Sequence, residues 1–347
     1  MRTSRTPFFL AALCALAVTG ALVVPGGGGV AAAADGPVAT QLQAPIVGMA
    51  AVPGGGGYWE VAADGGIFAF GDAGYFGSMG DRPLNAPIVG MAGVAGGTGY
   101  DLVAADGGIF SFGTAPFWGS MGGQPLDAPI VGMALTPTGG GYWEVAADGG
   151  VFCFGDAQYK GSMAGRPLAA PIVGIAPTPD GGGYWEVAAD GGIFAFGDAR
   201  YDGSMAGRPL AAPIVGMAAT PDGGGYWEVA ADGGIFAFGE AAFEGSAAGE
   251  HSASAFTGIA ATPDGRGYVL VAADGGVFAY GDARYAGSVP GQGIVAQSPV
   301  VGVAWTPDGA GYWLVGADGS VYAYGDATYL GSLGGLPLAA AVVGVAG

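Results

Sequence analysis

Side chains of the kinds that make and break bonds are scarce in this sequence. The single histidine, His251, sits in Glu250-His251-Ser252-Ala253-Ser254. Imidazole beside two hydroxyls is the composition of a base and a nucleophile. No Gly-x-Ser-x-Gly elbow occurs, however, and neighbours in sequence rarely hold triad geometry. A polar loop is the expected setting, and no catalytic residue is assigned. Beyond the first 34 residues Cys153 stands alone, which excludes an intrachain disulfide and a cysteine zinc site. It replaces the alanine of sister positions and reads as a small buried hydrophobe.

Carboxylates are the remaining candidates, and they recur. An aspartate opens a glycine turn at Asp64, Asp106, Asp148, Asp190, Asp232, Asp274 and Asp318. Calcium prefers several oxygen ligands from one compact loop, and one carboxylate per turn does not supply that, so these aspartates are expected to serve the turn and no metal site is assigned. Glu60, Glu144, Glu186 and Glu228 occupy a column in which Leu102, Leu270 and Leu314 also stand. Carboxylate exchanging with leucine is unusual for a packed strand. One reading is a solvated strand end; the other is a partly buried row of acids with raised pKa, able to bind a cation or a sugar hydroxyl.

Aromatic residues could stack on sugar rings, but most fall at repeat positions. Trp59, Trp143, Trp185, Trp227 and Trp313 share one column and are expected to pack between modules. Trp118 and Trp305 lie outside that column. Trp118, in Pro116-Phe117-Trp118-Gly119, belongs to the copy that also carries Asp101 where a tryptophan is usual. That second copy is the most individual, so Asp101 and Trp118 join the four glutamates as candidate ligand-binding residues.

All these residues are positioned by one phrase written seven times. Its first glycine falls at Gly48, Gly90, Gly132, Gly174, Gly216, Gly258, Gly302 and Gly344, a spacing of 42 residues with one step of 44 near Pro290. The fourth copy contains four short apolar stretches: Ile172 to Ala176, Gly183 to Ala188, Ile193 to Phe196 and Tyr201 to Ser204. Glycine, proline and aspartate bound them, and none is long enough for an ordinary helix, so each copy predicts four antiparallel strands joined by tight turns. Trp185 and Val187 alternate with Tyr184 and Glu186, giving two apolar faces that a lone meander could not hide from water. Seven such modules packed around an axis hide both. The fold expected is therefore all-β, a seven-bladed β-propeller over residues 44–347, with Gly174 and Ala176 letting the first strand sit innermost. An eighth first-strand phrase, Val342 to Ala346, leaves closure open: either it completes the first blade and displaces the stretch around Ile46, or it is a surplus edge.

The phrase Gly-Tyr-Trp-x-Val-Ala-x-Asp-Gly-Gly-x-Phe-x-Phe-Gly-Asp-Ala resembles a propeller repeat family of secreted actinobacterial proteins, found alone or attached to wall-acting or other hydrolytic domains. The resemblance covers about residues 44 to 347 and implies the architecture without a chemistry. More distantly, Val-Ala-Ala-Asp-Gly-Gly-Ile-Phe-Ala-Phe is similar to strand pairs of NHL-type and quinoprotein-type propellers. A quinone-dependent dehydrogenase of that kind calls for an adjacent cysteine pair, which this chain lacks, and no cofactor is expected. A shared fold does not fix a shared function.

Residues 1–34 have the parts of a secretory signal: Arg2 and Arg5, an uncharged run from Pro7 to Val24, and Ala32 to Ala34 before a cleavage point at Asp35. A retained anchor is the alternative; a lipoprotein is disfavoured because Leu13 precedes Cys14. Residues 35–43 form a short lead-in. All 28 acids lie past the signal with seven of the nine bases, a formal charge of −21 that makes nucleic acid an unsuitable partner. The expectation is a secreted or wall-associated module binding a glycan or a protein at the cell surface, with an axial-site enzyme or a structural spacer as alternatives and a hydrolytic companion protein as a further partner.

Overall fold

The computed structural model describes residues 41–250 and 252–337. Residues 1–34, read above as a secretory signal, His251 and the Val342 to Ala346 phrase lie outside the described residues. The described residues fold as seven three-stranded antiparallel sheets, each made of three consecutive strands. In the fourth unit these are Ile172–Pro177, Gly183–Ala188 and Ile193–Gly197. The turns are those the sequence marks. Gly191, at φ 77°, receives the chain after Asp190, whose Oδ1 accepts the Gly192 amide at 3.0 Å. A side chain there would meet Met205 Cβ at 2.5 Å, so both conformation and space require glycine.

Every unit whose first strand is described slips register at the same place, as between Ile172 and Gly174, where Val173 is the extra residue. Such a bulge sharpens the local twist. Each first strand lies beside the first strand of the next unit, and Ile46–Ala51 lies beside Val300–Trp305 of the seventh. The sheets thus form a closed, propeller-like circle. At the closing seam the Ile46 amide donates to the Ala317 carbonyl at 2.9 Å, Tyr58 donates to the Gly331 carbonyl at 2.5 Å, and the Tyr58 and Trp313 rings lie 5.8 Å apart. Ile46–Ala51 pairs with Gly57–Ala62 as the sister strands do, so the stretch around Ile46 is not displaced.

The core is a series of inter-unit layers. Trp185 and Val187 pack forward against Ile214 and Tyr226 of the fifth unit. Tyr184 packs backward against Trp143 and Val145 of the third. Burial therefore reaches both faces of every second strand, as alternation predicts. Two apolar faces per sheet are the reason that no unit is stable alone and each needs two neighbours.

The fourth strand expected in each copy is absent from these sheets. Its backbone groups are used otherwise: the Asp202 amide donates to Tyr226 Oη at 3.1 Å, and Tyr226 Oη donates to the Gly203 carbonyl at 2.7 Å. Gly203 also adopts φ 130°, outside strand geometry. A side chain from the neighbouring unit thus takes the bonds that a ladder would have made. The two extra residues near Pro290 are absorbed by a short 3-10 turn, Pro290–Gln292, ended by left-handed Gly293. No helix among the described residues is long and apolar enough to cross a membrane.

Candidate functional site

The glutamate column is wholly buried. Glu60, Glu144, Glu186 and Glu228 are each 0 % exposed, which corrects the solvated strand-end reading. They lie mid-strand: Glu186 faces Ile175 on one side and Phe194 on the other. Being two residues from Tyr184, Glu186 points the same way, backward onto the preceding unit. Its Oε2 lies 2.9 Å from where a Cβ on Gly149 would stand, so the carboxyl rests on the Asp148-Gly149-Gly150 turn of the third unit. Glu144 meets Gly107, Glu228 meets Gly191 and Glu60 meets Gly319 in the same way.

None of the eight oxygens on these four carboxyls has a hydrogen-bond partner. Burial, and then the charge of the Asp106, Asp148 and Asp190 carboxylates respectively, pushes Glu144, Glu186 and Glu228 up to about 8. Glu60 is raised well above the ordinary range by burial and then by Asp318. The sequence singled out the four acids but not their partners, because pairing with the previous unit's turn depends on inter-unit register. At three seams Leu102, Leu270 and Leu314 fill the same place within apolar clusters.

Asp101 is also buried, at 2 % exposure, and Ser111 Oγ donates to its Oδ1 at 2.5 Å. Asp101 and Ser111 face each other across neighbouring strands, where sister units pair Trp185 with Ala195. Burial raises the Asp101 carboxyl to about 6. It is a satisfied interior pair, and the structure does not bring it together with Trp118, which is 45 % exposed in the stretch after the third strand. Cys153, half-buried and opposite Trp143, has its thiol pushed up to about 11 by burial, which makes it a poor nucleophile.

Trp118 belongs to a series that sequence reasoning missed. The stretch after each third strand carries an aromatic at Tyr75, Phe117, Tyr159, Tyr201, Phe243, Tyr285 and Tyr329. Tyr75 is half-buried; the other six are 49–62 % exposed. The residues that follow them are Phe76, Trp118, Lys160, Asp202, Glu244, Ala286 and Leu330, with no type used twice. Backbone atoms tie each stretch to the core whatever its side chains: Trp185 Nε1 donates to the Arg200 carbonyl at 2.8 Å, and Tyr184 Oη donates to Gly161 and accepts from the Lys160 amide. Side chains there are free to differ. Each leans on a glycine of the next unit, as Trp118 does on Gly155 and Lys160 on Gly197. The signal was present as a fixed aromatic between two changing neighbours.

On the axis the described lining is apolar: Val47, Met49, Val89, Met91, Met133 and Val303 with glycines surround a cavity of about 50 Å³. It offers no side chain for acid–base work. A larger cavity of about 240 Å³ lies in the second unit, lined by Leu84, Asp106, Phe110 and Ser120 among others. Comparison with protein-family models and with curated proteins found no match.

Proposed function

We propose that this chain is a secreted, seven-bladed β-propeller of the repeat family it resembles, acting as a binding module that holds a glycan of the cell surface through its outer stretches. In this reading each Tyr201-type stretch stands where a fourth, outermost strand would. The observation that carries the proposal is the series of aromatics, exposed in six of the seven units, set beside a column of seven different side chains on an otherwise uniform scaffold. An exposed aromatic ring presents a flat apolar face at little entropic cost, which suits the C–H face of a pyranose. Nearby hydroxyls and carboxylates, such as Ser204 beside Tyr201 and the exposed Glu244 next to Phe243, suit sugar hydroxyls. Repeated weak contacts around a disc gain strength by avidity on a repetitive polymer.

A protein partner is the second reading, favoured by the opposite charges of Lys160 and Glu244 in the changing column. Retention on purified wall polysaccharide separates the two. The purified protein is expected to bind saturably, and Tyr159→Ala/Tyr201→Ala/Phe243→Ala together to weaken apparent affinity by roughly tenfold or more. Unchanged retention by the triple variant, or steady turnover of an ester, glycoside or redox substrate, would overturn the proposal.

A further inference from the structure

Four of the seven seams between units hold something that the fold itself does not require. At the seams of units one and two, five and six, and six and seven, the place is filled by leucine, and the packing closes over it. At the other four it is a glutamate with both oxygens buried and unpartnered, laid on the aspartate turn of the preceding unit. Burying a carboxylate without a partner is costly, and leucine demonstrates within the same chain that the cost is avoidable. Apposing a second carboxylate to each glutamate raises that cost further.

The aspartates of these turns have one oxygen spent, since Oδ1 of Asp106, Asp148, Asp190 and Asp318 accepts the amide two residues on at 2.9–3.0 Å. Their charge acts directly on the facing glutamates, Asp148 on Glu186 and Asp318 on Glu60. Each glutamate carboxyl, with both oxygens free, lies against the turn that carries the aspartate, and once it gives up its proton the two acids form a hard, all-oxygen, doubly negative pair. We propose that each of these four seams binds a divalent cation of the calcium class, with Glu144, Glu186, Glu228 and Glu60 as ligands from one unit and the turn aspartate as ligand from the unit before.

No nitrogen or sulfur ligand is part of the set, which favours calcium over zinc or copper. Among the described residues no seam gathers three acidic, histidine or cysteine side chains. Backbone carbonyls or water therefore complete the shell, and the affinity expected is that of extracellular calcium modules, a Kd of about 10⁻⁴–10⁻³ M. The ion would clamp neighbouring sheets together. This inference stands independently of the glycan reading.

The test is calcium binding to chelator-treated protein at constant ionic strength, followed by calorimetric titration and by thermal unfolding. Four sites per chain are expected, with the unfolding midpoint rising by roughly 5 °C or more at 10 mM calcium. Glu60→Leu/Glu144→Leu/Glu186→Leu/Glu228→Leu, which copies the residue of the other three seams, is expected to abolish both effects. Glu186→Leu alone should remove one site of the four, which keeps the test decisive if the quadruple variant does not fold. Absence of calcium binding in the wild type, or binding left intact by the leucine variants, would overturn the proposal. So would a midpoint that rises on acidification alone, with calcium having no effect, since the seams would then be carboxyl pairs sharing a proton.

Discussion

A carboxylate at position 101, where five sister units carry an indole, converts a packing position into a titrating one. Asp101 is buried with Ser111 as its donor, and burial lifts it from 3.8 to about 6. Between those values the folded chain holds a proton that the unfolded chain has released, so stability falls as pH rises through the window. The penalty is absent below about pH 3.8 and complete above about pH 6, roughly 3 kcal/mol in size. Asp101→Asn keeps an acceptor for Ser111 and cannot ionise. Urea unfolding of the two proteins should therefore agree near pH 4 and diverge by ~2–3 kcal/mol in favour of the variant at pH 7; an equal gap at both pH values would contradict this account. At this scale the sequence flagged unusual residues without placing them. Asp101 and the glutamates were legible as departures from their columns, while Ser111 and the turn aspartates became their neighbours only through register across strands and seams.

At the scale of the element, a departure in one unit is answered by the next. Each column tryptophan packs forward on a tyrosine, as Trp143 does on Tyr184 with rings 5.8 Å apart. It also crowds the end of the next first strand: a Cβ on Gly93 would stand 3.3 Å from Trp59. Two units lack the indole, having Asp101 and Val269, and the first strands that follow them end in the bulkier Leu135 and Trp305. Trp305 packs edge-on against Tyr312 at 5.5 Å, taking the space Val269 leaves. This accounts for the second tryptophan outside the column.

Trp305→Ala is expected to cost ~2–4 kcal/mol and Val269→Trp to cost ~1–3 by crowding. The double variant regenerates the arrangement of the other seams, so its cost should fall short of the sum by about 2 kcal/mol or more in a denaturant-unfolding cycle. Strict additivity would show that the two sites do not share space. Three strands of each unit were legible from turn chemistry and alternation. The fourth was not, because Tyr226 in the neighbouring unit, invisible to any local pattern, takes the backbone bonds of Asp202 and Gly203.

For the whole molecule, a repeat of fixed length read seven times dictates the number of sheets, and two apolar faces per sheet dictate a circle. Which strand closes that circle could not be read, since Ile46 to Ala50 and Val342 to Ala346 spell nearly the same phrase. The structure shows Ile46–Ala51 in the first sheet, with the seam to the seventh unit made by the same kinds of bond as the other six. A scaffold so uniform leaves its outer stretches and its buried seams as the places where units differ, and both functional proposals rest there.

The closing seam is tested most directly by amide hydrogen exchange. Ile172 and Ile214 donate to Ala147 and Ala189 of the preceding unit, whereas Ile46 donates to Ala317 at the opposite end of the described chain. If the circle is closed, the Ile46 amide should be protected to within about tenfold of its sisters at Ile172 and Ile214. Exchange of Ile46 at the rate of an unstructured chain, with those sisters still protected, would mean an open array and would contradict the account.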